Sequence, residues 1–337
     1  MKLRSHGSVP PLNAMECIAI KKISVSCVLV GAVSLLCVEV GASGSQVPNT
    51  SAPGPLAVAP ESMPRSQLAQ ASGESVCDSP DSAQEIVFLT NIERFNNGGL
   101  PPLKGVPELM SSSHLHSVAM AERNFFAHCD LDTKKLPWTR MQDAGYNYSY
   151  AGENIAAGYS SPASVMNGWM NSSGHRANIL NTNFREMGAD YYYYLQDTPD
   201  TRLDSDGDCT ADGQASGSYY RYWTQNFGSR TSVYPVVLDL ESHMTDSREV
   251  ALYVYGEGWA TEMRIRNNTG DWSAWMPYTS ESVWNLAGAN GTQTVFVETR
   301  NSYGTVRSAS DDICLETDEP ASRPDLIFEN SFEDEPL

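Results

Sequence analysis

The sequence predicts a mixed α/β layered domain followed by a small all-β sandwich. Three patterns predict it. Apolar residues recur at helical spacing in segments up to about residue 170. Tyrosine-rich runs of strand character follow, and beyond residue 233 the chain breaks into short β-type segments between Asn/Gly turns.

The chain opens with a leader. Lys21 and Lys22 precede an uncharged run of 16 residues, Ile23 to Val38, and Val40-Gly41-Ala42 supplies small residues for cleavage. Residues 1–42 are read as a secretory signal peptide, with no stable membrane span after cleavage, because the run is shorter than the ~20 residues that cross a bilayer. The expected compartment is extracellular or periplasmic. Residues 43–80 are dominated by Ser, Ala, Pro and Gly and read as a disordered linker.

The folded elements begin at Ser82-Ala83-Gln84-Glu85, read as a capping box. Ile86, Leu89, Ile92 and Phe95 follow at helical spacing, and Asn97-Gly98-Gly99 closes the helix. A second helix is expected from Pro107 to about Asn124, and a third after Ser161-Pro162, carrying Val165, Met166, Trp169 and Met170. Met187–Leu195 and Tyr219–Gly228 read as strands flanking an acidic loop. Within them, Tyr191 to Tyr194 would alternate between core and surface. Val250–Tyr255, Ala260–Ile265 and Thr294–Thr299 read as strands of the sandwich. The domains expected are residues 81–230 and 233–316, with an acidic tail over 317–337.

Charge excludes one class of function. The chain has 22 Lys+Arg against 41 Asp+Glu, a net of −19. Loss of the leader removes four basic and two acidic residues and brings the net to −21. Such a surface repels phosphate backbones, so no nucleic-acid partner is expected. Four of the seven cysteines lie beyond the leader: Cys77, Cys129, Cys209 and Cys314. An oxidising compartment favours two disulfides, in any of three connectivities. The preferred one joins Cys129 to Cys209 inside one domain and leaves Cys77 for Cys314.

The motifs accumulate between residues 85 and 228. They run Leu100-Pro101-Pro102-Leu103, Asn124-Phe125-Phe126-Ala127-His128, Gly145-Tyr146, Gly152-Glu153-Asn154-Ile155, then Trp169 through Leu180 with its Gly174-His175-Arg176 segment. Tyr222-Trp223-Thr224-Gln225-Asn226-Phe227-Gly228 closes the set. This ordered series resembles the CAP superfamily, also called SCP/PR-1-like, in its bacterial secreted branch. The resemblance implies an α-β-α sandwich with a surface cleft. His128 and Glu153 match the family's cleft histidine and glutamate; its second glutamate falls on Ser172 and its second histidine on Tyr222.

Chemically, His128, Glu153 and His175 are the candidates for a shared polar cleft. Two imidazoles, His128 and His175, can ligate zinc, with Glu153 as third ligand or general base toward bound water. Asn154, Ser172, Arg176, Tyr222 and Gln225 are the expected ligand-binding residues around them. The competing structural reading holds Glu153 in an orienting pair with Arg176. His114 and His116, two apart, cannot share a helix face and read as surface or core-edge residues. No GxSxG elbow, HExxH, P-loop or dinucleotide fingerprint is present.

The acidic loop places Asp204, Asp206, Asp208 and Asp212 at alternate positions, a pattern suited to calcium. It lacks the glycine and glutamate of an EF-hand, whose positions hold Cys209 and Ala215. The C-terminal module resembles immunoglobulin-like or fibronectin-III-like accessory domains. Its Trp259, Trp272, Trp275 and Trp284 are expected mostly in the core, with a carbohydrate platform as the alternative. The expected function is an exported binding module whose cleft takes a small ligand, a lipid or an envelope glycan. The alternatives are a metal-assisted hydrolase using His128, His175 and Glu153, and an interaction protein with a vestigial cleft.

Overall fold

The computed structural model describes residues 76–317. The leader and nearly all of the expected linker and of the expected tail lie outside the described residues. Within them, residues 80–233 form one compact unit, and residues 76–79 with 234–317 form a second. No helix among the described residues is long and apolar enough to cross a membrane.

The first unit has five helices: α1 (Ser82–Asn96), α2 (Pro107–Glu122), α3 (Pro137–Asp143), α4 (Pro162–Met170) and α5 (Ser173–Ile179). Its strands are β1 (Lys104–Gly105), β2 (Phe125–Phe126), β3 (Tyr150–Ala157), β4 (Glu186–Tyr193), β5 (Arg202–Leu203), β6 (Gly213–Gln214) and β7 (Arg221–Ser229). Proline opens α2, α3 and α4, where its missing N–H costs nothing and its φ is already helical. Ser161 and Ser164 form a reciprocal capping box on α4. On α1 the cap sits one residue earlier than expected: the Asp81 carboxylate accepts from the Gln84 N–H at 2.8 Å, so Ser82 is already helical.

The expected apolar face of α1 is also corrected. Phe95 is 61% exposed, while Thr90, Asn91 and Arg94 are fully buried. These polar residues are buried because each has backbone to satisfy. Asn91 bonds both N–H and C=O of Leu103, and Arg94 donates to the carbonyls of Pro101, Ile179 and Asn181. A helix that stitches loops together needs donors on its inner face, which hides its period from a hydrophobicity reading.

The main sheet has the order β1-β4-β7-β3, with β1 parallel to β4 and the other pairs antiparallel. On one face Met187, Ala189, Trp223 and Phe227 pack with Ile86 and Val87 of α1, Val165 and Trp169 of α4 and Ile179 of α5. On the other face Ile155 and Tyr222 pack with Ala119 and Met120 of α2 and with Phe125. The result is an α-β-α sandwich. Tyr191 lies on the first face against Trp223, with ring centroids 4.3 Å apart, and Tyr193 is exposed.

The layers approach closely at Gly188 on β4. A Cβ there would stand 2.2 Å from the backbone of Leu109 and Met110 in α2. Gly188→Ala is therefore expected to cost about 1–3 kcal/mol through overpacking, because backbone atoms cannot swing aside as a side chain can. Chemical unfolding checks this; a midpoint equal to wild type would show that α2 is free to slide.

A small sheet, β2-β5-β6, carries the acidic loop between β5 and β6. Cys129 and Cys209 form a disulfide that anchors this loop, and Cys77 pairs with Cys314, so both expected bonds form.

The second unit contains β8 (Val236–Leu238), β9 (Met244–Thr245), β10 (Glu249–Val254), β11 (Glu262–Asn267), β12 (Met276–Pro277), β13 (Glu281–Asn285), β14 (Gly291–Arg300) and β15 (Val306–Leu315). They form sheets β13-β10-β8 and β12-β11-β14-β15-β9. Inward residues of both sheets share one core: Leu238, Val250, Leu252, Met263, Ile265, Val295, Val297, Ile313 and Leu315. This is the sandwich, with a period-2 pattern clean enough to read directly.

Its tryptophans depart from the expectation of core placement. Trp284 alone of the four packs against the core cluster. Trp272 and Trp275 alternate with arginines in a ladder, Phe296–Arg266–Trp272–Arg264–Trp275–Arg300, with guanidinium-to-ring distances of 4.4, 5.0, 4.9, 4.7 and 4.1 Å. Trp259 stacks on Tyr234. The inward positions of β11 are taken by Met263 and Ile265, which leaves the indoles to cover the arginine stems between them.

Candidate functional site

Glu153 sits in the middle of β3, directly opposite Asn226 on β7, with its side chain only 2% exposed. Strand alternation sends it to the α2 face of the sheet. His128 follows β2, and its Nδ1 lies 2.9 Å from Glu153 Oε1. Arg140 on α3 donates through Nη2 to Glu153 Oε2 at 2.5 Å, and through Nη1 to the carbonyls of His128 and Lys135 at 2.8 and 3.0 Å. With the Asn226 amide oriented to satisfy both ends, its nitrogen donates to Glu153 Oε2 at 3.1 Å and its oxygen accepts from the Ser112 and Ser113 hydroxyls. Both carboxylate oxygens are thereby committed.

Burial would raise the Glu153 pKa, but the Arg140 guanidinium and the His128 hydrogen bond outweigh it and hold the carboxyl at about 2. Glu153 is a fixed anion. It must accept the bond from His128, so Nδ1 carries the proton and Nε2 is the free nitrogen of a ring 28% exposed.

Two further histidines frame this dyad. His116 on α2 is completely buried, its Nε2 donates to the Ala127 carbonyl at 3.0 Å, and its Nδ1 has no hydrogen-bond partner. Burial, then the charge of Arg140, lowers its pKa to about 3. His175 on α5 is half-buried with an unpartnered Nδ1, and burial, then the nearby His128, lowers its pKa to about 4. Both rings are neutral at physiological pH, and the shielded Nδ1 of His175 is left without a protein partner.

The expected ligand-binding residues divide sharply. Ser172, at the N-cap of α5, is nearly buried and its hydroxyl has no partner. Asn154 and Gln225 do not join Glu153: the Asn154 amide donates to the His175 carbonyl at 3.2 Å and to Gln225. Alternation turns both to the other face, where they are fully buried in a chain running Thr90–Gln225–Asn154–Asn178. Tyr222 is also fully buried, donating its hydroxyl to Asp197 at 3.0 Å. Arg176 does not hold Glu153: it is exposed and donates to Asn97 Oδ1 at 2.6 Å. That role belongs to Arg140, which sequence reasoning missed. His116 was underestimated for the same reason, that nothing local marks a residue reaching under a neighbouring strand. His114 is the surface residue of that pair, 3.0 Å from Asp190.

The metal expectations fare differently. His128, Glu153 and His175 do not bring ligand atoms within 4.8 Å of one another as a trio, whereas Asp204, Asp206 and Asp208 do. The three-ligand zinc set is thus not assembled. In the acidic loop, the Asp204 carboxylate accepts from the N–H groups of Gly207, Asp208 and Cys209, and Asp212 instead holds Ser205. Asp212 is therefore outside the cluster.

Comparison with known proteins finds relatives for part of this chain. Residues 87–199 match the family model described as CAP, the cysteine-rich secretory protein family. The uncharacterized protein YkwD of Bacillus subtilis (strain 168) is 43% identical over 108 residues, which are 32% of this chain and 41% of that protein. The uncharacterized membrane protein YlbC of the same organism is 33% identical over 117 residues, 34% of this chain and 33% of its own. The chain thus spans less than half the length of these curated relatives. Among solved structures, an extracellular protein containing a SCP domain from Bacillus anthracis str. Ames is 30% identical with a TM-score of 0.34, covering 44% of this chain and 40% of that one.

Proposed function

From the premise that residues 87–199 form a CAP domain, we propose that this chain is an exported protein whose cleft binds a small polar ligand through His128 and His175. The ligand class is a lipid headgroup or an envelope glycan. The observation that carries this reading is the commitment of Glu153. A carboxylate with both oxygens bonded and a pKa near 2 is a poor general base, which argues against the role that the hydrolytic alternative gives Glu153. What the cleft offers instead is recognition. His128 presents Nε2, while His175 Nδ1 and the Ser172 hydroxyl lie shielded from solvent without a protein partner, so a ligand that reaches them would gain those bonds.

The test uses two probes, the N-acetylglucosamine–N-acetylmuramic acid disaccharide and phosphatidylglycerol vesicles, added to protein labelled with ¹⁵N in histidine. One probe is expected to shift the His128 and His175 ring signals, and His128→Ala should weaken that binding at least about tenfold. Ester hydrolysis abolished by Glu153→Gln, with neither probe bound, would overturn the reading in favour of catalysis.

A further inference from the structure

The second unit carries a pocket of about 500 Å³ beside the turn that follows β11, lined by Arg266, Thr269, Asp271, Trp272 and Trp284 among others. It is a groove open to solvent rather than an enclosed cavity, so it can cover one face of a ligand. We propose that this pocket is a binding site for a neutral saccharide.

Arg266 is the first reason. Three arginines stand on this face of the sheet. Arg264 is paired with Glu298, and Arg300 with Glu262. Arg266 has no such carboxylate: its guanidinium lies between Phe296 and Trp272, and its buried Nε has no hydrogen-bond partner. With two rings against the guanidinium and no carboxylate paired with it among the described residues, its terminal N–H groups are the donors left for a ligand oxygen. An arginine cannot shed its charge to relieve the lack of acceptors.

The rim supplies the complement. Thr269 and Asp271 are exposed and their side chains bond nothing among the described residues. The amides of Asn267 and Asn268, by contrast, are spent holding the turn: Asn267 bonds Asn285 O and Trp284, and Asn268 bonds Ala287 O and the Thr294 N–H. Trp284 is half-buried, fixed by its Nε1–H to Asn267 Oδ1 at 2.8 Å, and provides a flat apolar wall. Trp272 cannot serve as a stacking platform, since Arg264 and Arg266 both lie against its ring.

A fixed indole, a donor-only cation, an acceptor-only anion and a hydroxyl match a sugar, which has a C–H face and hydroxyls that both donate and accept. An anionic ligand would meet Asp271 and a chain of net charge −19. A purely apolar ligand would strand the Arg266 N–H groups and the Asp271 carboxylate.

The probes are cellobiose, maltose and di-N-acetylchitobiose, titrated into the full chain while the tryptophan indole N–H signals are followed by NMR. At least one is expected to shift the Trp284 signal saturably. Asp271→Ala, an exposed change outside the core, should weaken that binding about tenfold, the worth of one hydrogen bond to a charged acceptor. His128→Ala should leave it unchanged, which separates this site from the CAP cleft. The proposal is overturned if no neutral disaccharide moves Trp284, if Asp271→Ala binds as wild type does, or if glucuronic acid binds as tightly as the neutral sugars.

Discussion

Arg140→Ala is expected to destabilise the first unit by about 3–5 kcal/mol at pH 7, the usual cost of removing one partner from a buried ion pair. The remaining carboxylate is 2% exposed and would keep His128 and Asn226 as its bonding partners, neither of which carries a fixed charge. The substitution also removes donors from the carbonyls of His128 and Lys135, so the segment presenting the His128 ring loosens. The double variant Arg140→Met with Glu153→Gln should recover more than half of the loss, because a neutral amide can still accept from His128 and no charge is left buried. Chemical unfolding of the three proteins makes the measurement. A single variant within about 1 kcal/mol of wild type would mean that Glu153 does not depend on Arg140.

Acidification is expected to cost a comparable amount through His116. Its folded pKa of about 3 lies below the ordinary 6.5. Above pH 6.5 the ring is neutral in both states and contributes no slope. Below it, the unfolded chain takes a proton that the folded chain refuses, so stability falls as pH falls and levels off near pH 3. At 1.4 kcal/mol per tenfold in proton affinity, the loss over that window is about 4–5 kcal/mol. His175, lowered to about 4, adds a smaller loss between pH 6.5 and 4, reduced by its partial exposure. Glu153 acts further down: its stabilisation is complete above the ordinary carboxyl range near 4.5 and disappears as pH falls toward 2.

His116→Gln isolates the first of these effects. A glutamine amide can donate to the Ala127 carbonyl but does not titrate. Its stability at pH 7 should lie within about 1 kcal/mol of wild type, while the decline between pH 6.5 and 4 becomes markedly shallower. Hydrogen exchange of the β7 amides reads this unit without interference from the second. An unchanged slope in the variant would assign the acid sensitivity elsewhere.

Much of the architecture was legible because it rests on local rules. Proline and serine at helix starts, the tyrosine-rich β4, and the alternating Val295/Val297 of β14 follow periodicity and capping. β3 escaped notice because its buried positions include Glu153 and Asn154, polar residues that break the apolar alternation marking a strand. The short α3 escaped too, and with it Arg140. In α1 the buried Asn91 and Arg94 reversed the face that Phe95 had suggested.

The candidate site shows the same division. His128 and Glu153 could be named from their motifs, and their meeting at 2.9 Å agrees with that pairing. Glu153 and Asn154 are chain neighbours, yet one joins the cleft and the other a buried amide network, because successive strand residues face opposite ways. The sequence by itself determined the net negative charge and the two residues of the dyad, and it left the cysteine pairing as a preference among three connectivities. Tertiary structure decided that Arg140 and His116 complete it, that Gln225 and Tyr222 do not, and that Arg266 lines a pocket without an ion-pair partner among the described residues. These are choices of sheet face and of register between distant segments, made by packing rather than by any local preference of the residues concerned.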